Sequence, residues 1–250
     1  MKKFLFLICF PISVFAQEKL PYFDIDLIKQ FYAPKMITED GGGIYTNDNY
    51  DYKVTVEKKY SYDERASYWD SRRLKTLIVL FKNIPINKNY EVLDCHACSG
   101  FVGLAKYQYE NKKWRLKNFT NDCLCGSASY GKVAIPVLEE YEGVPFLVYK
   151  SFYGQHGVST ERISYHNTHN FNKAFSFVSS EDNNGNIEPG EKGNYANQSK
   201  VSFVKNKDGN LQLNLISKGT KIEKYNGPVL SANKSENYIY DNVGNTFIKK

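Results

Sequence analysis

The chain of 250 residues is short of several things, and each shortage narrows its function. Beyond residue 16 no apolar run approaches the about 20 residues that cross a bilayer of roughly 30 Å, so an integral membrane protein is not expected. Lys and Arg number 33 against 27 Asp and Glu, a net charge of +6, yet no basic run exceeds the pair Arg72-Arg73. A nucleic-acid interface needs a concentrated basic face, so no nucleic-acid partner is expected. There is no Gly-x-Ser-x-Gly elbow, and Gly41-Gly42-Gly43 lacks the Lys and helix of a phosphate loop. Glu139 and Glu140 are adjacent, so in a strand they point to opposite faces and make no glycosidase pair. No catalytic residue is assigned. What is present, 42 % hydrophobic and 15 % aromatic residues, marks a globular protein and not a disordered one.

The first sixteen residues read as a secretion signal. Lys2 and Lys3 precede the apolar run 4–10, and Val14-Phe15-Ala16 offers small or branched residues at −3 and −1 of a cut before Gln17. Cys9 raises the alternative of a lipidated N-terminus, but Ile8 before it is not small and Cys9 lies inside the apolar run. The expectation is a periplasmic or secreted chain of the remaining 234 residues. Loss of Lys2 and Lys3 lowers its charge to +4.

The mature part is patterned for strands. Residues 24–32 are the exception: Ile25, Ile28 and Phe31 recur at helical spacing, Asp24 stands as N-cap and Pro34 as stop. After a turn at 39–43, strands are expected at 50–60, 74–81, 90–95, 101–110, 114–119, 133–141, 144–152, 158–165, 174–179, 200–206, 211–217, 238–241 and 246–249. The run 74–81 (LKTLIVLF) is the most apolar and reads as a central strand buried on both faces. Asn111-Lys112-Lys113, Glu142-Gly143 and Lys207-Asp208-Gly209-Asn210 read as hairpin turns. The fold class that follows is mainly β: antiparallel sandwich or barrel-like sheets with one short N-terminal helix. Residues 17–250 form a single domain, with any seam at the polar stretch 180–199.

Four cysteines remain in the mature chain, as two close pairs: Cys95-His96-Ala97-Cys98 and Cys123-Leu124-Cys125. A hairpin over 101–119 brings them together at its base. In an oxidising compartment the favoured reading is two disulfides, either 95–125 with 98–123 or 95–123 with 98–125. Each closes a loop of about 25 residues, worth about 3 kcal/mol in the chain-entropy picture. The alternative uses the same atoms as a metal site for zinc or copper, with Cys95, Cys98, Cys123, Cys125 and His96 as ligands, or as a redox dithiol. A thioredoxin-like dithiol starts a helix within a βαβ unit, whereas here a strand follows. No cofactor is expected if the disulfide reading holds.

Other clusters are weaker. His166-Asn167-Thr168-His169 reads as a polar turn at a strand end. Asp182-Asn183-Asn184-Gly185-Asn186 begins like a calcium loop, but position twelve is Gly193, not Glu, so it reads as a solvated loop. Gly154-Gln155-His156-Gly157 reads as a tight turn that sets His156 at its tip. The tyrosines of 45–62 read as cross-strand packing.

The segment Asp94-Cys95-His96-Ala97-Cys98-Ser99-Gly100 resembles a loose group of secreted bacterial proteins with a Cys-His-Ala-Cys motif. In that group a hairpin with a Trp follows, matched here by Trp114, then a Gln-x-Gly turn, matched by Gln155-His156-Gly157, an Asn-Gly loop at 183–185 and a Tyr-rich hairpin at 238–241. The likeness spans about residues 74–250 and implies export and an all-β fold, with no activity attached. Cys123-Leu124-Cys125 departs from the group's pattern. Trp114 and His156 are the candidate binding residues outside the cysteine cluster. The expected function is that of an exported, non-enzymatic protein that binds another protein or a cell-envelope component, as an immunity or inhibitor protein does. The competing class is the metal or thiol-redox protein.

Overall fold

The computed structural model describes residues 23–47, 50–65, 72–93, 100–123, 133–155, 157–188, 191–222 and 228–250. One helix, α1 (Asp24–Tyr32), is followed by strands in two antiparallel sheets. The first sheet is a meander of six: β1 (Met36–Ile37), β2 (Gly43–Asn47), β3 (Tyr50–Arg65), β4 (Arg73–Ile86), β5 (Phe101–Glu110) and β6 (Lys113–Cys123). The second contains β7 (Val137–Tyr141), β8 (Val144–Gln155), β9 (Val158–Asn167), β10 (Lys173–Asp182), β11 (Ala196–Lys205), β12 (Leu211–Ile222), β13 (Val229–Ser231), β14 (Lys234–Asp241) and β15 (Thr246–Lys249). Its order is β15-β14-β12-β11-β10-β9-β8-β7, with β13 on the far end of β12. The mainly-β expectation is therefore met. No helix among the described residues is long and apolar enough to cross a membrane.

The helix follows from its spacing. Leu27, Ile28 and Tyr32 are buried, Asp24 and Asp26 sit in the first turn near the positive end of the peptide dipoles, and Ala33 leaves in the left-handed region before Pro34. Phe23, not Asp24, occupies the N-cap position, and its side chain cannot accept from the free N–H groups. Leu77, Val79 and Phe81 of β4 pack with the helix, while Ile78 and Leu80 pack against the second sheet. Both faces of β4 are covered, which is why its sequence is continuously apolar rather than alternating. β8 has the same double duty: Leu147 and Tyr149 face the first sheet, and Phe146 and Val148 face the interior of the second.

The second sheet curls on itself. Tyr141 of β7 stacks on Phe203 of β11 with ring centroids 4.0 Å apart, and Phe146 of β8 meets Tyr240 of β14 at 5.5 Å and Phe247 of β15 at 5.9 Å. The last strand returns to the start of β10, where Thr246 Oγ1 donates to the Ala174 carbonyl at 3.1 Å.

Two hairpin turns take positive φ at both central residues, Asn111-Lys112 and Glu142-Gly143, as the right-handed strand twist requires of a two-residue loop. Lys113 belongs to the strand after the first of these turns, not to the turn itself. Of the expected strand at 90–95, the described residues 90–93 form none. Asn87 Oδ1 accepts from the N–H groups of Asn89 and Glu91, Tyr90 takes φ +65°, and only an isolated bridge, Ile86 to Val92, survives. An Asn side chain that satisfies nearby backbone groups favours a turn over a ladder. Of the expected strand at 133–141, Val137–Tyr141 forms the strand and Val133 makes an isolated bridge; β1, β2 and β13 are additional. Residues 180–199 span the end of β10, a loop and the start of β11, which pair with each other.

Candidate functional site

The first sheet carries α1 across one face, and the helix does not cover all of it. Phe31 stacks on Phe119 of β6 at 4.1 Å, and Tyr107 of β5 donates its hydroxyl to Gln30 Oε1 at 2.9 Å. Register places Leu116 opposite Tyr107 and Trp114 opposite Tyr109, so these side chains continue the same face toward the β5–β6 turn. Trp114 meets Tyr109 edge-on, with centroids 5.4 Å apart and planes at 60°. Lys75 Nζ lies 5.9 Å from the centroid of the Tyr109 ring. Leu116 is 43 % exposed. Trp114 is half-buried, and its Nε1 is enclosed without a hydrogen-bond partner among the described residues.

The result is an aromatic platform with a cationic rim. Lys75 at its edge and Lys112 in the β5–β6 turn are exposed, Lys113 and Arg115 alternate with Trp114 and so lie on the other face of β6, and Lys117 pairs with Glu110 at 2.7 Å. Aromatic rings beside cations suit a partner that offers apolar area together with negative charge. Sequence reasoning named Trp114 but not Tyr109 or Lys75. The alternation Tyr107-Gln108-Tyr109 hints at one aromatic face, but only the register of β4 against β5 brings Lys75 beside it.

Of the cysteines, only Cys123 lies among the described residues, at the opposite end of the same hairpin. Cys123 ends β6 opposite Val102 of β5. The N–H of Leu93 donates to the Pro85 carbonyl at 3.0 Å, and Gly100 approaches the Asn83 carbonyl so closely that a Cβ there would lie 2.5 Å from it. The chain therefore enters and leaves 94–99 beside the end of β4, one strand from the end of β6. Cys95, His96, Cys98 and Cys125 lie outside the described residues, as does His156, which falls between Gln155 and Gly157 at the β8–β9 turn. Gly157 has φ +73°, and its carbonyl accepts from Gly185 N–H at 3.1 Å, so this turn is docked on the loop after β10.

The calcium-like loop satisfies itself. Asp182 Oδ1 accepts from Asn184 N–H at 3.1 Å, and Asn183 Oδ1 accepts from the Tyr195 N–H at 2.8 Å and from Asn194 Nδ2 at 3.2 Å. No group of three His, Cys, Asp or Glu among the described residues is arranged to hold a metal.

Of the 166–169 segment, Thr168, His169 and Asn170 form the turn, while His166 is buried at the end of β9. Its Nδ1 lies 3.0 Å from the Phe171 carbonyl, to which it donates, and its ring meets Tyr149 at 5.0 Å. Burial pushes the imidazole below its ordinary range, opposed by the Phe171 bond. The unfolded chain then binds the extra proton first, so this contribution to stability is complete above about pH 6.5 and is lost as pH falls below it. Melting temperatures from pH 7.5 to 5 are expected to fall, and His166→Gln is expected to flatten that dependence. An unchanged slope in the variant would remove His166 as the cause.

Comparison with known proteins adds nothing to this geometry: no family model, no curated protein and no solved structure matches the chain.

Proposed function

We propose that this is an exported, non-catalytic binding protein of the periplasm or the extracellular space. Its partner is another protein or a cell-envelope component, met in the manner of an immunity or inhibitor protein. The observation that carries the reading is the Tyr109–Trp114 platform with Lys75 at its edge, open beside α1. Its cations favour an acidic partner surface, and its Trp is the residue type that most often anchors an interface. Export rests on residues 1–16, and an N-terminal sequence of the mature chain that begins at Gln17 is the matching test.

The test of the platform is cross-linking in intact cells, identification of the captured component, and titration of that component in purified form. Trp114→Ala is expected to weaken binding at least about 30-fold, the effect of losing about 2 kcal/mol at a hot spot. Lys75→Glu is expected to weaken it further at low salt. Equal affinity of Trp114→Ala and the unmodified chain would place the interface elsewhere.

The cysteine end supports a staple in the same reading, since the described flanks of both pairs converge there. Intact mass four daltons below the reduced value, without metal, is the expected result. Four alkylatable thiols with a retained zinc or copper ion would establish the metal reading instead.

A further inference from the structure

Cations that lie far apart in the sequence meet at one end of the first sheet. The β3–β4 ladder closes with Arg65 opposite Arg73, and the β5–β6 ladder closes with Glu110 opposite Lys113. Thr76 of β4 stands opposite Gln108 of β5, so the end of β3, the start of β4 and the β5–β6 turn share that end of the sheet. Arg73, Lys75, Lys112, Lys113 and Arg115 are all exposed there. Arg73 and Lys75 are on the Trp114 face, and Lys113 and Arg115 are on the other. The end of the sheet is therefore cationic on both faces.

Its charge balance differs from that of the rest of the sheet. Lys35, Lys53 and Lys59 each hold an aspartate: Asp51, Asp40 and Asp24. None of the five cations at this end has such a partner among the described residues. Glu64 is occupied by Lys106 and Glu110 by Lys117. Asp63 stands opposite Lys75 in register, beyond ion-pair distance. Like charges set opposite each other, as Arg65 and Arg73 are in register, disfavour strand pairing unless an anion from outside joins them. The same end carries apolar area, in the rings of Tyr109 and Trp114 and in Leu116, which is 43 % exposed. The Trp114 Nε1 is enclosed, so the part of that ring left outside is carbon.

We propose that this end of the sheet docks on an anionic phospholipid surface. The membrane is then the cell-envelope component of the reading above, on which this inference rests. Trp and Tyr rings settle at the level of lipid headgroups, and Lys and Arg beside them meet the phosphates. Guanidinium groups suit phosphate oxygens in particular, through paired hydrogen bonds. An acidic protein seated on the Trp114 face would match Arg73 and Lys75 but leave Lys113 and Arg115 unused. A layer of phosphates approached end-on surrounds both faces at once, and this is why a bilayer is favoured. Attraction of this kind falls off within a Debye length, so it holds only where the strand ends touch the headgroups.

Flotation of the full chain with vesicles is the test, using phosphatidylcholine alone and phosphatidylcholine with about 30 % phosphatidylglycerol. The expected result is binding to the second kind only, lost between about 50 and 500 mM salt as screening shortens. Arg73→Ser/Lys75→Ser and Lys113→Ser/Arg115→Ser are each expected to weaken it at least about tenfold, since each removes two cations from the headgroup layer. Trp114→Ala is expected to weaken it too. Lys200→Ser/Lys218→Ser removes the same charge from exposed positions on β11 and β12 and is expected to bind like the unmodified chain. Inorganic phosphate at about 10 mM and matched ionic strength is expected not to compete, because no single phosphate reaches both faces. No binding to the anionic vesicles, a loss confined to the Trp114 face, an equal loss in Lys200→Ser/Lys218→Ser, or competition by phosphate would overturn the proposal. Trp114-dependent capture of a soluble protein without vesicle binding overturns this inference and leaves the broader reading standing. Capture and vesicle binding that both ignore Trp114 remove that reading itself.

Discussion

Glu64→Leu is expected to cost the fold about 3–5 kcal/mol, because it strands an ammonium group between the two sheets. Lys106 lies on the β5 face that packs against the second sheet, and its side chain is 2 % exposed. Its Nζ stands 2.7 Å from Glu64 Oε2 and 2.8 Å from Oε1. Glu64, 14 % exposed, also accepts from Gln108 Nε2 at 2.9 Å and from Thr76 Oγ1 at 3.3 Å. Burial draws the Lys106 amine below its ordinary range, and the Glu64 charge draws it back. Without Glu64 the amine must lose its proton or remain charged in apolar surroundings, and both are unfavourable. Lys106→Met is expected to be milder, since Glu64 keeps two donors and some solvent. The double variant, Glu64→Leu with Lys106→Met, is expected to recover most of the loss, because the desolvation of two charges disappears with the charges. Urea denaturation of the three variants measures this. A double variant no more stable than Glu64→Leu would mean that the loss comes from packing and not from the stranded charge.

That pair also shows where sequence reading stops. A Lys inside 101–110 looks like the solvent side of a half-buried strand, and only the second sheet laid over β5 turns its position inward. Where periodicity carries the information, the sequence was legible. Ile25, Ile28 and Phe31 marked the helix, although the face it buries is that of Leu27, Ile28 and Tyr32, the run 74–81 marked a strand covered twice, and Glu142-Gly143 marked its turn. Where side chains bond to local backbone it was not, as at Asn87, whose carbonyl oxygen converts an apparent strand into a turn. Strands of two or three residues, such as β1 and β13, have no period to detect. Trp114 was named through the resemblance, as the Trp of its hairpin. Its hairpin neighbour Tyr109 was not singled out, and Lys75 was not legible, since its place beside that ring depends on the register of β4 against β5. The curl of the second sheet was equally hidden, because Phe146, Tyr240 and Phe247 meet only after the sheet closes on itself.

Gly103→Ala is expected to cost about 3 kcal/mol, for reasons of space and not of backbone conformation. A Cβ at this position would lie 1.9 Å from the Tyr32 hydroxyl oxygen, and the next nearest atoms are the Asn121 carbonyl oxygen and Tyr32 Cζ, each at 3.3 Å. That hydroxyl is fixed from the other side. Asn83 Nδ2 donates to it at 3.4 Å, Asn83 Oδ1 accepts from the Tyr45 hydroxyl at 2.9 Å, and Asn83 Nδ2 also reaches the carbonyls of Phe81 and Phe101. A rigid ring cannot bend its tip away, so the end of α1 must lift, and buried polar groups then lose partners at about 1–3 kcal/mol. Tyr32→Phe alone is expected to cost about 1 kcal/mol through its lost hydrogen bond. In Gly103→Ala/Tyr32→Phe the oxygen is gone, and the ring carbon at 3.3 Å makes a tight but tolerable contact. The double variant is therefore expected to be more stable than Gly103→Ala, although each substitution is harmful alone. Thermal or urea unfolding of the cycle reads this as a coupling energy of opposite sign to the single losses. Additive losses would show that Gly103 is required for some other reason and that Tyr32 does not anchor the helix to β5.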